Sequence, residues 1–183
     1  PQRDRKQIDV PVVIMAGGKG TRLDPITRIL PKPLIPISDK PVIELIIDRF
    51  RRSGLDKYFI SVNHKSRMIK AYFEEASVDY SIDYLEESKP LGTAGALKKL
   101  EGQIEGAFFV SNCDIFIEED YAKILEYHQE KRNDLTLVTS VKNYHIPYGI
   151  CEIENGGTLT EIKEKPEYNF LVNTGLYLSL IHI

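Results

Sequence analysis

The sequence predicts an α/β domain with a mostly parallel sheet and an added β-hairpin. Two patterns carry this expectation. Short apolar runs alternate with amphipathic stretches from Val10 to Val141, and after Gly149 two alternating stretches flank a glycine pair. Strands that alternate with helices need crossover connections, which lay helices over a parallel sheet and collect ligands at the carboxyl ends of its strands.

In order, Val10 to Met15 is a β-branched run that ends at glycines, the pattern of a buried strand. Ser38 or Asp39 can cap a helix with Pro41 in its first turn. Ile43, Ile46, Ile47 and Phe50 share one face of that helix, and Gly54 stops it. "YFISVN" follows as a strand, and Met68, Ile69, Tyr72 and Phe73 mark a second amphipathic helix. "SIDYLEE" alternates as a strand, Ala94 to Leu100 reads as a short helix, and "AFFVSN" is another buried strand. Tyr121, Ile124, Leu125 and His128 give a further helical face before the strand "LTLVTSV". "YGICEI", the turn "ENGG" and "LTEIKEK" then read as the hairpin.

With 183 residues and 42% hydrophobic content, the chain can bury one real core. A net charge of −3 gives no general attraction to nucleic acid or to a membrane surface, so neither is expected as a partner and any anion site must be local. Cys113 and Cys151 match no metal or redox spacing, the four histidines show no ligand spacing, and Cys151 reads as a small core residue. No run has the length of a membrane span or the order of a signal peptide, so a soluble, cytoplasmic protein is expected. Residues 1–9 read as a polar linker and 10–183 as the domain. "GLYLSLIHI" stops inside a strand-like run, so the domain is expected to be incomplete at its C-terminal end. Its last hexamer matches one reading frame of a common sequencing-transposon end and is expected to be foreign to the native chain.

The loop after the first run carries the chemistry. In "VVIMAGGKGTRLDPITRILPKPLIP", Gly17, Gly18 and Gly20 follow a strand directly, where backbone amides can approach phosphate oxygens without Cβ obstruction. Two familiar phosphate loops fail on the letters. A P-loop needs Gly-Lys-Ser/Thr, but Gly20 is followed by Thr21 and Arg22. The dinucleotide fingerprint meets Leu23 where its third glycine belongs. Pro25, Pro31, Pro33 and Pro36 instead predict a stiff, extended segment that presents Arg22, Arg28 and Lys32 to a polyphosphate. The spacing of Pro33 and Pro36 also spells P-x-x-P, which is too common to point to an SH3 ligand.

Ala16 to Thr27 with Pro31-Lys32-Pro33 resembles the signature of the sugar-1-phosphate nucleotidyltransferases, A-G-G-x-G-T-R-L-x-P-x-T followed by P-K-P. "LGTAGAL" at 91–97, "SNCD" at 111–114, "EKP" at 164–166 and "VNTGLY" at 172–177 recur in the family's order, so the resemblance covers nearly the whole chain. It implies a Rossmann-like nucleotide-diphospho-sugar transferase fold, a GT-A-like three-layer sandwich. It also implies transfer of NMP from an NTP to a sugar 1-phosphate, releasing pyrophosphate.

The resemblance assigns roles as follows. Ala16, Gly17, Gly18, Gly20 and Thr21, with Gly92 and Thr93, would hold the nucleotide. Arg22 and Lys32 would neutralise phosphates, and Asp114 would hold Mg²⁺, a hard cation suited to carboxylate and phosphate oxygens. Glu164, Asn173 and Thr174 would meet the sugar, and Lys165 its phosphate. A homo-oligomer and an upstream regulatory domain are expected for the full-length form. The "YHIPYGICEI" stretch leans toward guanylyl transfer. Duller readings stand beside these: a plain turn for the glycines, a solvated Lys32, a helix-capping Asp114, and a charged strand end for Glu164 and Lys165. A homologue that binds nucleotide sugars without catalysis is the alternative. Two departures bear on the metal: Cys113 stands where the family more often has glycine, and the family's second metal carboxylate is expected beyond residue 183, which would leave this chain impaired.

Overall fold

Val12–Met15 forms strand β1, and Val12, Val13 and Ile14 are wholly buried in it. The computed structural model describes residues 7–87 and 95–180. β1 pairs in parallel with β4 (Lys57–Val62) on one side and β6 (Ala107–Asn112) on the other, and β5 (Ser81–Glu86) continues the sheet in parallel beyond β4. A strand hydrogen-bonded on both edges and covered on both faces has no exposed side, which is why its residues are β-branched rather than alternating.

The chain folds as two compact units. One runs to Leu137 and resumes at Gly175, and the other is Val138–Thr174. In the first unit, α1 (Val42–Arg52) connects β1 to β4 and α2 (Ser66–Ala76) connects β4 to β5. They lie side by side, since Tyr72 Oη donates to Glu44 Oε2 across 2.5 Å. α1 buries Val42, Ile43, Ile46, Ile47 and Phe50, the stripe that its sequence period predicts. Phe50 stacks on Tyr121 of α3 (Tyr121–Lys131) at 4.1 Å and meets Phe109 of β6 at 5.7 Å. Burial alone contributes about 1.5–3 kcal/mol for each phenylalanine. The opposite face of the sheet packs Val13, Phe59, Phe108 and Val110 against Leu100 and Ile104, and the 3-10 helix Gly95–Leu100 lies there. Three layers result.

The strand order is β5-β4-β1-β6-β10-β7, with β7 at Leu135–His145 and β10 at Glu167–Leu180. Successive strands first step one way from β1, to β4 and then β5, and the chain then returns to pair β6 on β1's other edge. The order therefore reverses at β1/β6, the position where open α/β sheets bind ligands. β10 enters antiparallel to β6, from Leu176 opposite Ser111 to Leu180 opposite Ala107. The sheet is thus mostly parallel with an antiparallel insertion. In the second unit, β8 (Ile150–Glu154) and β9 (Thr158–Lys163) form the expected hairpin, with Gly156 and Gly157 at φ values of 91° and 89°.

Several sequence expectations need correction. Ser38 and Asp39 do not cap α1. They form the turn between two short strands, β2 (Pro36–Ile37) and β3 (Lys40–Pro41), and Pro41 precedes the helix without a side-chain cap. Asp120 does cap α3, accepting from the Ala122 amide at 3.0 Å. Met68 is exposed, while Ile69 and Phe73 carry the contact of α2. Cys151 is exposed on β8 and not part of a core. The proline segment is not extended: Thr21–Leu23, Ile26–Arg28 and Lys32–Leu34 are three separate 3-10 turns. A fixed proline φ near −65° suits such turns as well as extended chain. Among the described residues, no helix is long and apolar enough to cross a membrane.

His128 of α3 is buried, with Nδ1 2.8 Å from Thr136 Oγ1, which also accepts from Asn133 Nδ2 at 3.2 Å. Burial holds the imidazole pKa below its usual 6.5, and the Asp134 carboxylate pulls weakly the other way. The unfolded chain therefore takes up this proton at a higher pH than the folded one, so stability falls as pH drops below 6.5 toward the folded-state value. His128→Gln should flatten that fall. Thermal melts of both proteins from about pH 7.5 to about pH 5.5 would show a smaller loss of Tm in the variant, whereas parallel curves would remove His128 from the account.

Candidate functional site

The chain leaves β1 over the carboxyl edge of the sheet, and its loop forms one wall of a cavity of about 510 Å³. Ala16 is buried and its amide donates to Ser61 O of β4 at 3.0 Å, which extends the sheet one residue past the strand. Gly17 follows in a tight place: a Cβ there would stand 3.3 Å from Glu87 Oε1 and 3.4 Å from Asn63 Cβ. Gly18 faces open space. Gly20 has φ 66°, and a Cβ on it would come within 2.9 Å of Thr27 Cγ2 and 3.1 Å of Lys32 Cβ. Glycine is needed at Gly20 twice over, for its left-handed backbone and for the room it leaves.

Thr27 locks this turn. Its buried hydroxyl lies 3.1 Å from Gly20 O and 2.9 Å from Asp24 Oδ1, and its carbonyl accepts from Lys65 Nζ at 2.9 Å. The family signature's final threonine is therefore the loop's internal brace, and Lys65, which no sequence pattern singled out, supports it from the start of α2. With the loop so folded, Gly17, Gly18, Gly20, Arg22 and Lys32 line the cavity. Ala16 and Thr21 flank it. Arg28 points elsewhere: it is exposed and reaches Asp24 at 3.4 Å.

The opposite wall comes from β6. Asn112, Cys113 and Asp114 line it, and Lys32 Nζ lies 2.5 Å from Asp114 Oδ2, so the structure brings the two expected phosphate and metal residues together. Cys113 is buried. Its thiol is pushed up to about 11 by burial, with the Asp114 carboxylate adding to the shift, so it stays neutral and contributes no second charge to the wall. Gly175 of β10 packs against Asn112: its φ is 84°, and a Cβ there would collide with the Asn112 amide. The glycine of "NTG" thus serves close packing beside the cavity.

Glu87 was missed by the sequence reading. It lines the end of the cavity away from Asp114, and its Oε1 accepts from Ser61 Oγ at 2.5 Å. Its backbone is held as well, the amide donating to Val62 O at 2.9 Å and the carbonyl accepting from Asn63 Nδ2 at 2.6 Å. The only sequence signal was its place at the carboxyl end of a strand next to the strand that carries the glycines. Gly92 and Thr93 lie outside the described residues.

Glu164, Lys165, Asn173 and Thr174 belong to the second unit. Glu164 packs on the hairpin's entry, where a Cβ on Gly149 would stand 3.0 Å from its Oε2. Lys165 has φ 45°, a left-handed conformation that lysine rarely takes, and its exposed ammonium is 3.9 Å from Glu164 Oε1. Thr174 Oγ1 donates to Val138 O at 2.7 Å, and Asn173 lies beside it on β10.

Among the described residues, no three histidine, cysteine or acidic side chains gather into a metal cluster. Asp114 offers a hard, half-exposed oxygen donor on the β6 wall of the cavity, beside Lys32. That fits Mg²⁺, which is commonly held by one or two carboxylates together with substrate phosphates.

Comparison with known proteins agrees with this geometry. A family model described as Nucleotidyl transferase matches residues 11–179. The UTP–glucose-1-phosphate uridylyltransferase of Synechocystis sp. is 32% identical over 185 residues, which are 91% of this chain and 48% of that protein. The D-glycero-alpha-D-manno-heptose 1-phosphate guanylyltransferase of Campylobacter jejuni is 32% identical over 169 residues, 91% of this chain and 74% of that protein. The crystal structure of HddC from Yersinia pseudotuberculosis complexed with GMP-PN superposes with a TM-score of 0.73 at 28% identity, covering 94% of this chain and 77% of that one. The chain thus spans about half the length of the first relative and about three quarters of the others. The family match runs through the parallel sheet, its glycine loop and most of the antiparallel β10, and the chain belongs to the nucleotidyl transferase family.

Proposed function

We propose that this chain carries the nucleotide site of a sugar-1-phosphate nucleotidyltransferase, which moves NMP from an NTP to a sugar 1-phosphate. One observation supports it above the others: one cavity is lined by the glycine backbone of the loop, by Arg22, and by the paired Lys32 and Asp114. In the reaction, a phosphate oxygen of the sugar 1-phosphate attacks the α-phosphorus of the NTP. The new P–O bond forms as the bond to the β-phosphate bridging oxygen breaks, and pyrophosphate leaves with that electron pair. The attacking oxygen is already anionic, so no general base is required. The protein's work is to hold two anions in line and to neutralise the charge that moves onto the leaving group.

Arg22 and Lys32 do this from the loop, and the folded state of the loop fixes where their charges stand. Asp114, with phosphate oxygens, would hold Mg²⁺, which supplies Lewis-acid stabilisation of the same charge. Lys165, Glu164, Asn173 and Thr174 take the sugar phosphate and its hydroxyls. The left-handed backbone at Lys165 supports a functional role, because strain of this kind concentrates at ligand sites. Arg22, Lys32, Asp114 and Lys165 are all present, so nothing favours a binding-only homologue. The homologues' names span uridylyl and guanylyl transfer on this scaffold.

Two variants separate the roles. Lys165→Ala should raise KM for the sugar 1-phosphate about tenfold or more and leave NTP affinity unchanged, as read by pyrophosphate release and by calorimetry with NTP alone. Unaltered sugar-phosphate kinetics would count against the assignment. Asp114→Asn should abolish Mg²⁺-dependent tightening of NTP binding. Equal NTP affinity with and without Mg²⁺ in the parent chain would sink the metal role.

A further inference from the structure

We infer that Lys65 is a positioning residue for the nucleotide site: it holds the glycine loop in the fold that sets Lys32, and so governs how tightly a triphosphate binds without touching it. The inference rests on the nucleotide site proposed above. It starts from a carbonyl that the loop's own backbone leaves unserved. In a helical turn, Thr27 O would accept from the amide of residue 30 or 31. The Leu30 amide donates instead to Ile26 O at 3.0 Å, and Pro31 has no N–H. Thr27 is buried, and a buried acceptor without a donor is costly. Lys65 Nζ supplies the donor at 2.9 Å.

Lys65 makes this contact at a cost to its own backbone. It follows the end of β4 at the carboxyl edge of the sheet and begins α2 with φ 56° and ψ 33°, without a side-chain cap. Asparagine and glycine take that left-handed conformation readily, and asparagine is also a good cap. Lysine lacks both advantages and has reach. Its anchor is rigid, because β4 is paired with β1 on one edge and β5 on the other.

The brace reaches the cavity through Thr27. The threonine hydroxyl lies 3.1 Å from Gly20 O and 2.9 Å from Asp24 Oδ1. A Cβ on Gly20 would stand 2.9 Å from Thr27 Cγ2 and 3.1 Å from Lys32 Cβ. Thr27, Gly20 and Lys32 therefore pack as one unit, and a shift of Thr27 moves the root of the lysine that lines the cavity with Arg22. Lys65 is not among the residues that line it. Its ammonium is committed to a carbonyl and has no direct grip on a ligand. What it contributes is preorganisation, which lowers the ordering cost of binding.

The test is calorimetric binding of GTP and of UTP to the chain in Mg²⁺, beside melting curves without nucleotide. Lys65→Met keeps the length and removes the donor, and it should weaken whichever nucleotide the parent binds by about tenfold or more. Lys65→Arg restores a donor of similar reach and should return affinity to within about threefold of the parent. Lys65→Asn suits the left-handed backbone but cannot reach Thr27. It should lose affinity as Lys65→Met does while its Tm stays within about 3 °C of the parent's, and it carries the test alone should Lys65→Met not fold. In a Lys32→Ala background, Lys65→Met should weaken binding less than it does in the parent, as for residues that act through one another. Parent-like affinity in Lys65→Met or Lys65→Asn, no recovery in Lys65→Arg, affinity lost only where Tm also falls further, or fully additive losses with Lys32→Ala each overturns the role of Lys65 and leaves the nucleotide site standing. A parent that binds neither nucleotide overturns both.

Discussion

β1 constrains everything around it. Because it is paired on both edges and buried on both faces, the chain that leaves Met15 can go only outward, over the carboxyl edge of the sheet. The strand order reverses at the same strand, the position where open α/β sheets bind ligands. The glycine loop therefore does not create a binding site on an arbitrary surface. It lines one that the topology has already opened, and β6 brings Asn112 and Asp114 to the facing wall for the same topological reason.

Within that crevice the glycines solve different problems. Gly20 supplies a left-handed turn with Thr27 and Lys32 packed against it, so it sets the fold of the loop. Gly17 passes close to Glu87 and Asn63, where a Cβ would crowd both, and Gly175 lets β10 approach Asn112. One of the three shapes the backbone, one lets the loop pass the end of β5, and one allows two strands to close. A motif written as repeated letters hides this division of labour.

Much of this could be read from the letters. Periodicity located the helical stripe of α1, with Phe50 at its centre, and the buried strands β1, β4 and β6, because burial on one face or both leaves a direct signature in residue order. The family signature placed Arg22, Lys32 and Asp114, and these converge. Where reading failed, the cause was a contest between local rules that only tertiary context settles. Ser38 and Asp39 are good capping residues and good turn residues alike, and the pairing of Pro36–Ile37 with Lys40–Pro41 claimed them for a turn. Proline's fixed φ suits extended chain and 3-10 turns equally, and Thr27's hydrogen bonds chose the turns. Cys151 alternates like a core residue, but alternation tells which residues share a face and not whether anything covers that face. Glu87 carries no pattern beyond its place at the carboxyl end of a strand. That it lines the cavity follows from β5 lying two strands from β1, a fact of strand order.

Charge separation along the cavity follows from the same order. A net charge of −3 says nothing about it, because the field a ligand meets is set by groups within a Debye length, about 8–10 Å. Glu87 stands at the β5 side of the cavity and the Lys32–Asp114 pair beside β6, so strand order places charged groups on both sides of it. The Lys32–Asp114 pair sharpens this. Lys32 Nζ and Asp114 Oδ2 satisfy each other at 2.5 Å. On the proposed reading both are re-partnered together, Lys32 by phosphate and Asp114 by Mg²⁺ carried with that phosphate. The pair is partly exposed, with the two side chains 28% and 44% accessible, so water screens it and an exchange of partners costs little.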